Sequence, residues 1–170
     1  QRQMCIRDSS STGLFKYENN ILTKITQTEE EIKHLTFYDK NHLFYITSTG
    51  ISLLDISTSK SRLIYPNDTK DFRQIASLYY DEQLNRLWIG TGAAGLFYYD
   101  IIKKTLSPIP LKGFPKQPIL AIKKDINNTL LIGIDGQGIW NISEKGDKLL
   151  NIYKEDLNNP FSCLLYTSDA

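Results

Sequence analysis

The sequence predicts an all-β chain built as a tandem repeat of small antiparallel sheets, and three observations carry that prediction. A stretch near the middle, Leu87-Trp88-Ile89-Gly90-Thr91-Gly92-Ala93-Ala94-Gly95-Leu96-Phe97-Tyr98-Tyr99-Asp100, reads as two short apolar strands joined by a glycine-rich turn. Weaker copies flank it at Leu43 to Asp55 and at Leu130 to Trp140, and a truncated copy, Gly13 to Glu18, stands near the start. Finally, Asp39, Asp81 and Asp125 each close the first strand of a unit, at spacings of 42 and 44 residues. That lies in the range of ~40–50 expected for a four-stranded propeller blade. The expected fold is a partial β-propeller, about three and a half four-stranded blades forming an open arc.

Taken in order, each unit repeats one plan. First strands are expected over Ile32 to Tyr38, Ile75 to Tyr80 and Ile119 to Lys123. Polar turns follow at Lys40 to His42, Glu82 to Arg86 and Ile126 to Thr129, where Asp and Asn close the chain by bonding their own backbone. Second strands run Leu43 to Thr47, Leu87 to Thr91 and Leu130 to Ile134. Gly50, Gly95 and Gly138 stand where the third strands begin, places where positive φ is needed and a bulky side chain clashes. Fourth strands are more variable: Ser61 to Tyr65, Thr105 to Ile109 and Lys148 to Tyr153. Thr28 to Leu35 holds three glutamates but no sustained apolar stripe, so it reads as a loop leading into a strand. One such sheet cannot bury both faces alone, so its large apolar side chains, Trp88 and Trp140 foremost, are expected to pack against neighbouring blades. The outermost blades should then present uncovered apolar faces.

The two ends need separate treatment. Codons can be chosen for Gln1 to Asp8 and for Cys163 to Ala170 that make the two stretches reverse complements over nearly their whole length. They also resemble the transposase adapter used to fragment DNA for sequencing. The expected division is therefore 1–8 and 163–170 adapter-derived, 9–31 the end of a preceding blade with its linker, and 32–70, 71–115 and 116–154 three blades. Residues 155–162 then begin the linker to a next blade, and the whole is expected to be an internal piece of a longer protein. Both cysteines fall in the end stretches, so they carry no information on compartment or disulfides. The 170-residue chain has 20 basic and 19 acidic residues, and without the end stretches 18 and 17 remain. No basic stripe exists to recruit nucleic acid. No apolar run approaches the ~20 residues of a membrane span.

Ile75 to Asp81, then Leu87 to Thr91, then Gly95 to Asp100 together resemble the two-component regulator propeller repeat. Tyr153 to Ser162 resembles the linker that introduces the next blade in that family. The likeness is strong in the middle copy and moderate in the last. In the Asp39 copy Phe44 replaces the tryptophan, and Thr47-Ser48-Thr49-Gly50 shortens the glycine turn. The family resemblance is to the sensor region of Bacteroidetes hybrid two-component systems. It implies a periplasmic propeller ahead of an immunoglobulin-like domain, a membrane helix, a histidine kinase and a DNA-binding response regulator. It implies an oligosaccharide ligand, a glycan breakdown product, as partner, together with the missing blades of the same propeller, and it admits a homodimer of the parent protein. None of the kinase or DNA-binding motifs is present in this chain.

No cofactor, catalytic residue or metal ligand is expected. His34 and His42 have no acid or cysteine at metal-ligand spacing, and no serine stands in a Gly-x-Ser-x-Gly setting. Gly133 to Gly138 is glycine-rich but joins two strands, so it cannot cradle a phosphate at a helix start. Glu29-Glu30-Glu31 reads as a solvated turn face. The turns between second and third strands gather on one face of a propeller, and loops on a rigid scaffold carry binding. Asp135 and Gln137 are the candidate ligand-binding residues there, able to meet sugar hydroxyls; the competing role is to satisfy the turn backbone. The alternative function is a propeller enzyme, a lyase or hydrolase, with its active site on blades outside this chain.

Overall fold

The computed structural model describes residues 13–154 apart from 19, 27, 29 and 67–74. The end stretches 1–8 and 163–170 and the linker 155–162 lie outside the described residues, as does Glu29 of the acidic run. Fourteen strands and no helix are present among the described residues: β1 (Phe15–Glu18), β2 (Ile21–Lys24), β3 (His34–Phe37), β4 (His42–Ile46), β5 (Gly50–Asp55), β6 (Lys60–Pro66), β7 (Ile75–Asp81), β8 (Arg86–Thr91), β9 (Leu96–Asp100), β10 (Thr105–Pro108), β11 (Ile119–Lys124), β12 (Leu130–Ile134), β13 (Gly138–Ile142) and β14 (Leu149–Tyr153). Pairing is antiparallel and sequential. A two-stranded sheet β1–β2 is followed by three four-stranded meanders, blade I (β3–β6), blade II (β7–β10) and blade III (β11–β14). The fold is all-β, an open partial propeller with blade-like sheets and no closed barrel.

The apolar runs are continuous because middle strands are buried on both faces. In β4, Leu43 and Tyr45 point back to a cluster with Leu14, Ile25 and Ile32, while Phe44 and Ile46 point forward to one shared with Ile75, Leu78 and Tyr80. β8 repeats this: Leu87 and Ile89 face blade I, and Trp88 faces Ile119, Ile122 and Leu130 of blade III. Phe44 thus does for one seam what Trp88 does for the next. Trp88 is fully buried, as expected for a core tryptophan. Trp140 is only half-buried, because β13 turns it back onto the edge of the same cluster, against Phe114.

Blade III shows what a missing neighbour does to this pattern. Leu130, Ile132 and Ile134 are buried against blade II, whereas Leu131 and Gly133 between them are only half-covered. Twelve large apolar side chains are exposed among the described residues. Tyr17, Ile21 and Leu22 lie in the first sheet, and Leu120, Ile126, Leu149, Leu150, Ile152 and Tyr153 in blade III. Only Phe37, Leu63 and Ile102 belong to the two inner blades. The apolar excess therefore sits on the end sheets, where the repeat lacks a partner.

The strand-closing aspartates act as the turn chemistry requires. The Asp39 carboxylate accepts from the N–H groups of Asn41 (2.7 Å) and His42 (2.8 Å), and that of Asp125 from Asn127 (2.9 Å) and Thr129 (2.8 Å). Asp81 does the same for Gln83 and Leu84. Gly138 has φ of 75°, and a Cβ there would run into the Tyr153 carbonyl oxygen of β14. That approach explains glycine at the start of this third strand.

Candidate functional site

The turn joining β12 to β13 holds both candidate binding residues. It is a four-residue turn closed by the Gln137 N–H donating to the Ile134 carbonyl at 3.0 Å, with Gly136 at φ 64° in the position that demands positive φ. The Asp135 N–H donates to the Pro118 carbonyl (2.9 Å), so the turn is tied to the segment that enters β11. These bonds come from the backbone. The Asp135 carboxylate is exposed and bonds to none of the described residues. Gln137 is half-buried, and its Oε1 accepts from Lys154 Nζ at 2.9 Å, just beyond β14. The two side chains therefore do not brace the turn backbone. They are adjacent in the turn but are not bonded to a common group.

The matching turns of the other blades consume their own polar groups. In blade I the Ser48 hydroxyl (2.6 Å) and the Thr49 N–H (3.2 Å) donate to Glu30. The Ser48 bond, with help from Thr47 and Thr49, holds the Glu30 carboxyl below its ordinary pKa against the opposing effect of burial. In blade II the Thr91 hydroxyl donates to the Gly95 carbonyl (2.8 Å) and accepts from the Ala94 N–H (2.9 Å). Among the three turns, the one in blade III leaves a carboxylate open to solvent. The segment between β10 and β11 lays Phe114 edge-on to Trp140, ring centroids 5.5 Å apart. Phe114 had no signal in the sequence, because it lies between strands and belongs to no repeat.

The opposite end of the sheets is occupied by structure. Besides the first-strand aspartates, Asp55 and Asp100 at the ends of the third strands each accept two N–H groups, from Ser57 and Thr58 and from Ile102 and Lys103. Both aspartates recur at the same place in the repeat, which is the signal the sequence carries for this role. Lys124 Nζ reaches across from blade III to the Asp81 carboxylate (3.0 Å) and Gln83 Oε1 (2.9 Å) of blade II, and to Glu144 Oε1 (2.7 Å). Burial pushes the Lys124 pKa down, but the bonds from Glu144 and Asp81 outweigh it, so the ammonium is held above its ordinary value. His42 is bonded by Nδ1 to the Asp39 carboxylate at 2.9 Å, a partner three residues away. Burial pushes the Asp39 carboxyl up, and the bonds from Asn41 and His42 overcome it and hold it low. Among the described residues no group of three His, Cys, Asp or Glu is placed to hold a metal ion.

No family model and no curated protein matches the sequence. The fold matches solved structures. The extracellular domain of the putative one-component system BT4673 from B. thetaiotaomicron superposes with a TM-score of 0.68 at 22% identity, over 89% of this chain and 21% of that one. The extracellular domain of the putative hybrid two-component system BT3049 from the same organism gives 0.64 at 22% identity, over 82% of this chain and 20% of that one. The computationally designed Ika8 protein gives 0.59 at 15% identity, over 83% of this chain and 43% of that one. The chain thus spans about a fifth of the length of the bacterial domains it resembles.

Proposed function

We propose that this chain is part of an extracytoplasmic, ligand-sensing β-propeller of a hybrid two-component regulator, one that recognises a glycan breakdown product and signals to a histidine kinase. The observation that carries the reading is the fold shared, over 82% of this chain, with the extracellular domain of the putative hybrid two-component system BT3049. Its role in the reading is to bind and not to catalyse. The longer protein would hold the remaining blades and would lie, in its sensor region, on the periplasmic side of the inner membrane. The uncovered apolar faces of the first sheet and of blade III support the reading, since further blades of the same propeller would cover them.

Within this chain Asp135 and Gln137 are the residues proposed to meet the sugar. A carboxylate with no bond to the described residues can accept from two adjacent hydroxyls, and a side-chain amide both donates and accepts. The test is calorimetric titration of the complete extracytoplasmic region with a panel of oligosaccharides. Binding that weakens about tenfold or more in an Asp135→Ala, Gln137→Ala double variant supports both the ligand class and the site. Unchanged affinity in the variant removes the two residues from the site, and no binding of any oligosaccharide overturns the ligand class.

A further inference from the structure

The sheets of this arc are separate ladders, so events at the seams between them depend on side chains. At the seam of blades I and II the innermost strands β3 and β7 run past each other without pairing. Two backbone donors of β7 reach across it among the described residues: the Leu78 N–H donates to His34 Nδ1 (3.2 Å) and the Tyr80 N–H to the Thr36 hydroxyl (3.4 Å). A backbone N–H can only donate, so Nδ1 must present a lone pair, and the neutral ring carries its proton on Nε2. The ring is half-buried. Facing it, Ile75 to Leu78 of β7 holds no ionisable group, and neither does Ile46, its partner on β4. Lys33 precedes it on its own segment and is exposed. Among the described residues, the charge that bears on the ring is Lys123 of β11, a cation. Burial, with Lys123 second, holds the imidazole below its ordinary pKa of 6.5.

We propose that His34 is a proton-operated latch across the inner seam of blades I and II, shut while the imidazole is neutral and open once Nδ1 is protonated. Protonation replaces the lone pair with an N–H, so two donors face each other. No carboxylate from the facing strands can take up the new charge. The Leu78 N–H loses its acceptor inside a buried strand, and water must enter to replace it. Because the folded pKa is lowered, the unfolded chain binds the proton more readily. The latch therefore contributes fully above 6.5 and fades as the pH falls from there toward the lower folded value.

The test is amide exchange of Leu78 followed by nuclear magnetic resonance across a pH series, expressed as protection against the intrinsic rate at each pH. Ile132, central in blade III, serves as internal reference. Protection at Leu78 should fall about tenfold for each pH unit between 6.5 and the lower folded pKa of the ring, while that at Ile132 holds. In His34→Asn the side-chain oxygen replaces Nδ1 as an acceptor that cannot titrate, and the pH dependence at Leu78 should vanish. A pH-independent Leu78 in the unsubstituted chain, or the same dependence in His34→Asn, overturns the latch. Should His34→Asn not fold, the ring nitrogen shifts of the unsubstituted chain decide: a proton on Nε2 at neutral pH supports the latch, and one on Nδ1 overturns it.

Discussion

Gly90 and Gly133 stand at the same repeat position in blades II and III, and adding one methyl to each should have opposite results. Gly90 has ordinary φ, so its backbone tolerates alanine. A Cβ there, however, would meet the Ser77 hydroxyl and lie 2.6 Å from both Cβ and Cγ2 of Ile119, the residue that opens blade III. Carbon atoms pack best at ~3.5–4.0 Å, so the overlap approaches 1 Å against a β-branched side chain with little rotamer freedom. Overpacking of this kind costs ~1–3 kcal/mol. The reduced freedom of the unfolded chain returns only ~0.4–1 kcal/mol. Gly90→Ala should therefore be destabilising by about 1–2 kcal/mol. At Gly133 the nearest atoms are those of Ala121 at 3.7 Å, ordinary contact, so Gly133→Ala should be neutral or stabilising by a few tenths. With a urea slope of ~2 kcal/mol/M, the two unfolding midpoints should separate by about 0.5–1 M in tryptophan fluorescence. Equal midpoints would refute the claim that seam II–III is held at methyl-scale tolerance. In the complete propeller a further blade would press on Gly133 as blade III presses on Gly90, and there Gly133→Ala should become destabilising too.

Other outcomes follow from the charged groups. Lys124→Met leaves the buried Asp81 without its cation, a loss of about 3–5 kcal/mol by chemical denaturation. Adding Asp81→Asn, which keeps the oxygen that closes the turn, should recover much of that loss, and strictly additive penalties would show that the pair is not coupled. Bonds from Ser57 and Thr58 hold the Asp55 carboxyl at about 2, down from an ordinary 3.8. A lowered folded pKa means stability that is present above 3.8 and lost as the pH falls through about 2. Asp55→Asn should flatten that acid limb of the unfolding midpoint, and an unchanged limb would remove Asp55 from it.

Strand order and strand type were readable from the sequence because Leu87-Trp88-Ile89 and its copies are apolar on both faces, a pattern that only stacked sheets explain. Boundaries shifted where tertiary packing intervened. β3 starts at His34, since Ile32 is drawn into the cluster of Leu14 and Ile25, and β10 ends at Pro108, which has no N–H to give, with one further bond from the Ile109 N–H to the Leu96 carbonyl at 3.2 Å. The seams were not readable. His34, Ser77 and Lys124 find their partners on the neighbouring blade 42 to 44 residues away, and nothing local distinguishes them from solvent-facing polar residues. The candidate turn was half readable: its geometry follows from Gly136 and Gly138, whereas the capture of Gln137 by Lys154 depends on where β14 ends.

The bonds described here between successive sheets run through side chains: His34 and Thr36 at one seam, Ser77 and Lys124 at the next. Each ladder is thus closed upon itself, and its joints to either side are made of replaceable parts. A point substitution can loosen or tighten the bend between two units while every rung within them stays intact. Inserting a duplicated unit would break one joint and make two, deleting an inner unit would remove two and make one, and all the other joints would stay as they were.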